Sequence, residues 1–123
     1  MVDDHASLRG HVVRFVSGMA GFTVIGEAAS GEAALLDPLR GEAQLTLSDL
    51  SMPGMSGIDL TRKLYEENPA CPVVLLSGHN EPFLVKQAFE AGASAFVVKD
   101  DLFALEDVLG RVLKGERGIV ASG

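Results

Sequence analysis

Short apolar runs alternate with stretches of helical periodicity along the whole chain. The runs that predict strands are Met1 to Asp3, Phe22 to Ala28, Leu45 to Leu50, Val73 to Ser77 and Ala95 to Val98. Strands that alternate with helical patterns are typical of βαβ units. The pattern therefore predicts an α/β fold in which helices cover both faces of one parallel sheet.

The helical segments carry recognisable start and stop signals. They are predicted at Ala6 to Gly18, Ser30 to Leu39, Ser56 to Asn68, Glu81 to Ala91 and Leu102 to Lys114. Ser56 and Asp59 have the Ser-x-x-acid spacing of an N-terminal cap. Asn80 is the expected cap of the fourth helix, and Gly92 suits the left-handed residue that ends it. The last helix is expected to relax into loop from Gly115.

Reactive side chains stand where four of the predicted strands end. Asp3 and Asp4 follow the first apolar residues, Asp49 closes the third strand, Ser77 the fourth and Lys99 the fifth. Parallel strands present their carboxyl ends at one edge of the sheet, where ligands of α/β proteins bind. We therefore expect these side chains to form one site.

Crowded carboxylates need a cation, because like charges raise one another's pKa. Mg²⁺ prefers one or two carboxylates together with waters and a phosphate oxygen. Asp3, Asp4 and Asp49 thus predict a site that is completed by a phosphoryl group. The Asp49 carboxylate can itself act as the nucleophile and form an aspartyl phosphate.

Composition narrows the class of protein. The 123 residues suit one domain, and 47% apolar with 22% charged residues is ordinary for a globular protein. A net charge of −7 argues against a grip on a polyanion. The single cysteine, Cys71, forms no internal disulfide. Without a membrane-spanning stretch or a signal peptide, the expected location is cytoplasmic, with no membrane contact.

Four motifs in order are similar to a known family. They are Val2-Asp3-Asp4-His5, the segment from Asp49 to Gly57, Ser77 and Lys99. The chain resembles, over nearly its whole length, the receiver domain of bacterial two-component response regulators. The segment after Asp49, and Asp100 in place of a proline after Lys99, are similar to the LuxR/NarL-type transcriptional regulators.

The resemblance implies a fold and a domain layout. The fold is a flavodoxin-like (βα)5 doubly wound parallel sheet of strand order 2-1-3-4-5, here with a truncated first strand. Residues 1–114 form the receiver domain, and 115–123 are a tail or the start of a linker to an output domain that is not in this chain. DNA would be bound only through that output domain.

The resemblance also implies the roles of residues around Asp49. Asp49 accepts a phosphoryl group from the phosphohistidine of a sensor histidine kinase, and the domain is a signalling module rather than an enzyme. Asp3, Asp4, Asp49 and the backbone carbonyl of Ser51 hold Mg²⁺.

A second set of implied roles concerns the phosphate and the switch. Ser77 and Lys99 contact the phosphate, and Ser77 moves toward it while Phe96 turns inward. This alters the face of helix four, strand five and helix five, through which a homodimer can form. As a hypothesis, Ser51 and His79 tune the access of water to the acyl phosphate.

Two features of the sequence leave alternatives open. Only two residues precede Asp3, so either residues upstream of Met1 complete the first strand, or the domain is destabilised, or a partner chain supplies the strand. Ser48 adds a hydroxyl to the core that needs a hydrogen-bond partner.

Three other functions are compatible with an α/β fold of this size. A receiver-like interaction module that works without phosphorylation is the main alternative. A haloacid-dehalogenase-like phosphatase would need a second Asp where Ser51 stands, and a flavodoxin would need a Ser/Thr/Gly-rich phosphate cradle after the first strand. Taken singly, Asp49 could be a turn residue and Phe96 a core residue.

Overall fold

The computed structural model describes residues 1–37, 41–78 and 81–121, with the side chain of Asp101 left out. Five α-helices and four strands lie within these ranges. The helices are α1 (Ala6–Ser17), α2 (Gly31–Leu36), α3 (Gly57–Glu67), α4 (Pro82–Ala91) and α5 (Leu105–Leu113). The strands are β1 (Thr46–Asp49), β2 (Val73–Ser77), β3 (Ala95–Val98) and β4 (Ile119–Ala121).

All four strands pair in parallel in the order β1-β2-β3-β4. The register sets Asp49 beside Leu76 and Ser77 beside Val98. Parallel neighbours need a crossover, and α3, α4 and α5 provide the crossovers here. The predicted third, fourth and fifth strands are confirmed as β1, β2 and β3, and their carboxyl ends share one edge of the sheet.

The truncated first strand is reduced to a single paired residue. Val2 forms parallel bridges to Ala28 on one side and to Ser48 on the other. The Val2 N–H donates to the carbonyl of Leu47 at 2.8 Å, and the Asp49 N–H donates to the carbonyl of Val2 at 2.8 Å. Val2 therefore holds the central position that the order 2-1-3-4-5 assigns to the first strand.

The prediction that Phe22 to Ala28 forms the second strand is wrong, because the segment is not a hydrogen-bonded strand in the structure. Side-chain burial alternates along this segment as in a half-buried strand, but within the described part of the chain only Ala28 forms a bridge. The reason is that the described first strand forms bridges at Val2 alone, so its ladder with this segment is limited to Ala28, and the Gly26 carbonyl accepts from the Met1 ammonium at 3.1 Å. A groove of about 280 Å³ lies between this segment and the start of β1, lined by apolar residues such as Phe22, Val24 and Leu45.

Two apolar cores cover the two faces of the sheet. One packs α1 and α5 against alternate strand residues, with Val12, Leu47, Val97 and Leu109 among its buried members. The other packs α3 and α4 against the opposite strand residues and includes Phe96. Residues that alternate along a strand face opposite sides, so this arrangement gives the predicted doubly wound architecture.

The segment after α5 does not remain loop. Residues 115–118 are irregular, but Ile119–Ala121 pairs with β3 as β4 and Ile119 is buried. The expectation that 115–123 is only a tail or linker is corrected for these residues. The start of the last helix is also corrected, because a 3₁₀ helix over Lys99–Ala104 precedes α5.

Local signals elsewhere agree with the sequence. Ser56 and Asp59 form both bonds of a capping box at the start of α3. Gly92 ends α4 with φ +110°, and the expected cap Asn80 lies outside the described residues. The Ser48 hydroxyl donates to the carbonyl of Asp49 at 2.9 Å, so it has the partner that its burial requires. Within the described ranges, no helix has the length and hydropathy to cross a bilayer.

Candidate functional site

The carboxyl edge of the sheet carries the predicted site residues. Asp49 is the last residue of β1, Ser77 is the last residue of β2, and Lys99 follows β3 directly. Asp3 and Asp4 come directly after the bridge residue Val2. The strands end here because their apolar runs end here, so the fold brings five polar residues from distant parts of the sequence to one edge.

Three carboxylates form a compact acidic cluster. Asp3, Asp4 and Asp49 each offer one oxygen, and these oxygens all lie within 4.8 Å of one another. The exposed fraction is 0% for Asp3 and 3% for Asp49. Asp3 Oδ2 and Asp4 Oδ1 are buried and accept no hydrogen bond from the described residues. Buried oxygens without partners are costly, and a hard cation relieves that cost by binding them.

The environment of Asp3 disfavours its ionised form. Burial raises the pKa of the Asp3 carboxyl, and the neighbouring charges of Asp49 and Asp4 raise it further. The hydrogen bond from the His5 N–H to Asp3 Oδ1, at 2.9 Å, and the charge of Lys99 act in the opposite direction. A bound cation would favour the ionised carboxylates. The donor set therefore fits a divalent ion such as Mg²⁺.

Lys99 forms an ion pair with Asp49 across the edge of the sheet. Its Nζ lies 2.9 Å from Asp49 Oδ1, and the side chains are 25% and 4% exposed, respectively. The ammonium thus balances part of the negative charge of the acidic cluster. An ammonium at this place can also bind an oxygen of a group attached to Asp49.

Ser77 and Phe96 lie where the sequence places them. Ser77 is buried at the end of β2, one residue beyond the register partner of Asp49. Phe96 is fully buried in β3 and packs in the core that includes Ile58 and Leu75. Its ring is therefore inside the protein in this conformation, and its role as a switch stays a prediction.

Of Ser51 and His79, only Ser51 lies among the described residues. Ser51 lies two residues after Asp49 and is exposed, in the loop between β1 and α3. His79 lies outside the described residues. The hypothesis that the two side chains tune the access of water stays a prediction.

Gly57 was not singled out from the sequence, although the site depends on it. The Gly57 N–H donates to the carbonyl of Leu50 at 2.8 Å, so the first turn of α3 folds back onto the end of β1. A Cβ at Gly57 would collide with the carbonyl oxygen of Asp49 and would lie 2.8 Å from Leu50 Cα. Only glycine permits this close approach. In the sequence Gly57 stood only as the end of the segment that begins at Asp49, and nothing there indicated a contact with the β1 backbone.

Arg9 is a second residue that the sequence did not single out. Its guanidinium donates from Nη1 to the carbonyl oxygen of Asp3 at 2.6 Å and from Nε to Glu27 Oε1 at 3.2 Å. An arginine in the first turns of a helix carries no spacing that predicts such contacts. They depend on how α1 packs beside the segment that contains Glu27.

Comparison with known proteins decides the family. Residues 1–112 match the model of the response regulator receiver domain. The chain belongs to this family. It is therefore a receiver domain of two-component response regulators, and the shared sheet and flanking helices are the receiver fold.

Individual relatives agree with this assignment. The chain is similar to response regulator UvrY of Escherichia coli (strain K12), with 32% identity over 99 residues that cover 80% of this chain and 45% of UvrY. It is similar to protein-glutamate methylesterase/protein-glutamine glutaminase 6 of Anaeromyxobacter dehalogenans, with 38% identity over 93% of this chain and 32% of that protein. The chain thus spans half or less of the length of these relatives.

A solved structure gives the same result. The chain superimposes on a two-component response regulator of the LuxR family from Aurantimonas sp. SI85-9A1 with a TM-score of 0.88 and 32% identity, covering 98% of this chain and 86% of that one. The similarity to the LuxR/NarL-type regulators expected from the sequence is confirmed.

Proposed function

We propose that Asp49 is the phosphoacceptor of this receiver domain and that its donor is the phosphohistidine of a sensor histidine kinase. The observation that carries the proposal is the joint placement of a three-carboxylate cluster and the Lys99 ammonium around Asp49. Among the described members of the cluster, Asp49 is the one that forms an ion pair with Lys99.

The chemistry is a displacement at phosphorus. An oxygen of Asp49 forms the new O–P bond while the P–N bond to the kinase imidazole breaks. The electron pair of that bond stays with the imidazole, which takes up a proton. Asp49 needs no general base, because its carboxylate is already the nucleophile.

The surrounding residues hold the cation and the transferred group. Asp3, Asp4, Asp49 and the backbone carbonyl of Ser51 are the proposed ligands of Mg²⁺, which when bound neutralises charge on the carboxylates and on the phosphoryl oxygens. Lys99 and Ser77 donate to phosphoryl oxygens. On phosphorylation, the Lys99 ammonium moves from Asp49 Oδ1 to a phosphoryl oxygen, so it still has an anionic partner in the product.

The proposed output is a shift between two conformations. Contacts that only the phosphorylated form makes, from Ser77 and Lys99, favour one arrangement of β3 and its neighbours. Phe96, buried in β3, is the proposed reporter. A homodimer through the face of α4, β3 and α5 would include β4, since this strand covers the edge of β3. Phe83, 66% exposed on α4, supports that face as an interface.

The chain spans less than half of response regulator UvrY, so the function of the whole protein is also a proposal. Regulation of transcription would need a DNA-binding output domain joined to this one. The relative named as a protein-glutamate methylesterase/protein-glutamine glutaminase, of which this chain covers 32%, supports an alternative in which the output domain has a different activity. Within this chain the proposed role is signalling, with no turnover of an external substrate.

The decisive test is intact-mass measurement after treatment with acetyl phosphate and Mg²⁺. The wild type should gain one phosphoryl group, and Asp49→Asn should gain none. Asp107→Asn is the matched control, because Asp107 is an exposed aspartate on α5 that should leave the mass gain unchanged. A wild type without a mass gain, or an Asp49→Asn variant that keeps it, would contradict the proposal.

A further inference from the structure

Arg9 joins three parts of the chain beside the acidic cluster. It lies on α1 with a side chain that is 19% exposed. One guanidinium nitrogen donates to the carbonyl oxygen of Asp3 at 2.6 Å, and another donates to Glu27 Oε1 at 3.2 Å. Glu27 directly precedes Ala28, the residue that bridges to Val2. The Arg9 guanidinium therefore links α1 to the first strand, through the Asp3 carbonyl, and to the neighbouring segment, through Glu27.

The backbone of Asp3 is held at only a few points. Within the described residues, the first strand forms bridges at Val2, directly before Asp3. The backbone N–H of Asp3 donates to the carbonyl of Ala28 at 3.0 Å, and Asp3 Oδ1 accepts from the His5 N–H at 2.9 Å. The bond from Arg9 fixes the remaining backbone group, the carbonyl.

The Asp3 carboxylate keeps one oxygen without a hydrogen bond from the described residues. This oxygen, Oδ2, is buried, and the carboxylate belongs to the cluster with Asp4 and Asp49. Its direction is set by the backbone of Asp3, which Arg9 holds. A displacement of that backbone would move Oδ2 away from the other two carboxylates.

We propose that Arg9, clamped by Glu27, is a positioning residue for divalent-cation binding. The inference rests on the proposed function, in which Asp3 is a Mg²⁺ ligand. The guanidinium binds the carbonyl of Asp3 rather than a carboxylate oxygen, so it does not compete with the cation for its ligands. Glu27 balances the positive charge of Arg9, which would otherwise repel a cation nearby.

Arginine is required here because of its shape. The planar guanidinium presents donors in fixed and different directions, so one group can bind the Asp3 carbonyl and the Glu27 carboxylate together. A lysine ammonium is a point charge on a flexible stem. Lysine would keep the charge and most of the apolar packing of the stem, but it would not hold both partners in the same geometry.

The test measures Mg²⁺ affinity directly by isothermal titration calorimetry on the full chain, together with urea unfolding in EDTA. Arg9→Ala and Arg9→Lys should each weaken Mg²⁺ binding about tenfold, and Glu27→Gln about threefold, because it frees the guanidinium but leaves its bond to Asp3. Arg14→Ala is the matched control. Arg14 is an exposed arginine in the last turn of the same helix and should change the affinity less than twofold.

The outcomes separate a positioning role from a merely structural one. A structural role would lower the urea midpoint of Arg9→Lys in EDTA and leave the affinity of its folded fraction at the wild-type value, which would overturn the inference. Unchanged affinity in both Arg9 variants would do the same while the wild type still binds Mg²⁺. A wild type that binds no Mg²⁺ would instead overturn the metal site of the proposed function, and the inference with it.

Discussion

Lys99 Nζ and Asp49 Oδ1 are 2.9 Å apart, and this contact ties the end of β1 to the residue that follows β3. The two strands are not neighbours, since β2 lies between them. The ion pair therefore joins the ends of two strands that flank β2, whose last residue is Ser77. A group bound to Asp49 would meet residues from three strands at once, which makes this edge sensitive to the state of one side chain.

Removal of the Lys99 charge should destabilise the protein through Asp49. Lys99→Met leaves a buried carboxylate without its cation, and we expect the free energy of unfolding in EDTA to fall by about 1–3 kcal/mol. Lys99 is partly exposed, which keeps the loss below that of a fully buried pair. Urea unfolding followed by circular dichroism gives the value.

The control for that prediction is the double variant. In Asp49→Asn the carboxylate is absent, so adding Lys99→Met should cost much less than it does in the wild type. Equal costs in both backgrounds would show that Lys99 acts through packing instead of charge. Lys86→Met, at an exposed lysine of α4, should be neutral in either background.

Asp3→Asn should stabilise the protein at neutral pH in EDTA. Because the pKa of Asp3 is raised mainly by burial, the folded state binds a proton more tightly than the unfolded state. The contribution of this group to stability is therefore greatest below the unfolded pKa and falls as pH rises through the folded pKa. At pH 7 the unfolded carboxyl is ionised, so the raised pKa of this group in the folded state opposes folding. The neutral amide should raise the melting temperature by a few degrees, about 1 kcal/mol.

With Mg²⁺ bound, the wild type should be more stable than Asp3→Asn, the reverse of their order in EDTA. Mg²⁺ binds the wild-type carboxylates and stabilises the folded state by mass action, whereas Asp3→Asn lacks one ligand. Melting curves at pH 5 and pH 7, each with EDTA or with 10 mM Mg²⁺ (about the excess needed for a weak site), separate the two effects. A variant less stable than the wild type in EDTA at pH 7 would be incompatible with the burial argument.

The sequence was informative wherever a local pattern determined the structure. The apolar runs ending at Asp49, Ser77 and Lys99 predicted the strand ends, and the parallel sheet then brought those ends together. The spacing of Ser56 and Asp59 predicted the capping box. In each case the signal is either a period or a cap, and both depend on neighbouring residues alone.

The features that the sequence did not predict depend on contacts between distant residues. Ile119–Ala121 is three residues long and follows a loop with two glycines, so it has no periodic pattern, and it forms a strand because the edge of β3 is available. Phe22 to Ala28 has a strand pattern, but within the described residues it forms a bridge only at Ala28. The roles of Arg9 and Gly57 are tertiary contacts that no spacing encodes.

Gly57→Ala should disrupt the phosphoacceptor edge. The added methyl group would collide with the backbone of Asp49 and Leu50, which are part of the sheet and cannot move freely. We expect a loss of about 2–4 kcal/mol in the free energy of unfolding, together with a large loss of phosphorylation by acetyl phosphate. Gly10→Ala is the matched control, since nothing lies within 4 Å of a Cβ at Gly10 in α1. That change should stabilise the protein by about 0.5–1 kcal/mol.

An apolar extension before Met1 should stabilise the protein by lengthening the first strand along the groove. The α-ammonium of Met1 donates to the carbonyl of Gly26 at 3.1 Å, where the amide of a longer strand would donate. Burial lowers the pKa of this ammonium, so its charge opposes folding and the penalty grows as pH falls below 8.0. An added Val-Val-Leu segment replaces the ammonium by an amide and places apolar side chains in the groove beside Val24 and Leu45.

Two extensions of equal length separate the charge from the apolar contacts. Gly-Ser-Gly before Met1 also removes the buried ammonium, so both extensions should abolish the Met1 contribution to the pH dependence of urea unfolding between pH 6 and pH 8.5. Only Val-Val-Leu fills the groove and lengthens the ladder, so it alone should add about 2–4 kcal/mol at pH 8.5, where the wild-type ammonium is mostly neutral. Equal stability of the two extended proteins at that pH would mean that the groove does not accept a strand, and that the segment from Phe22 to Ala28 holds its extended form without one.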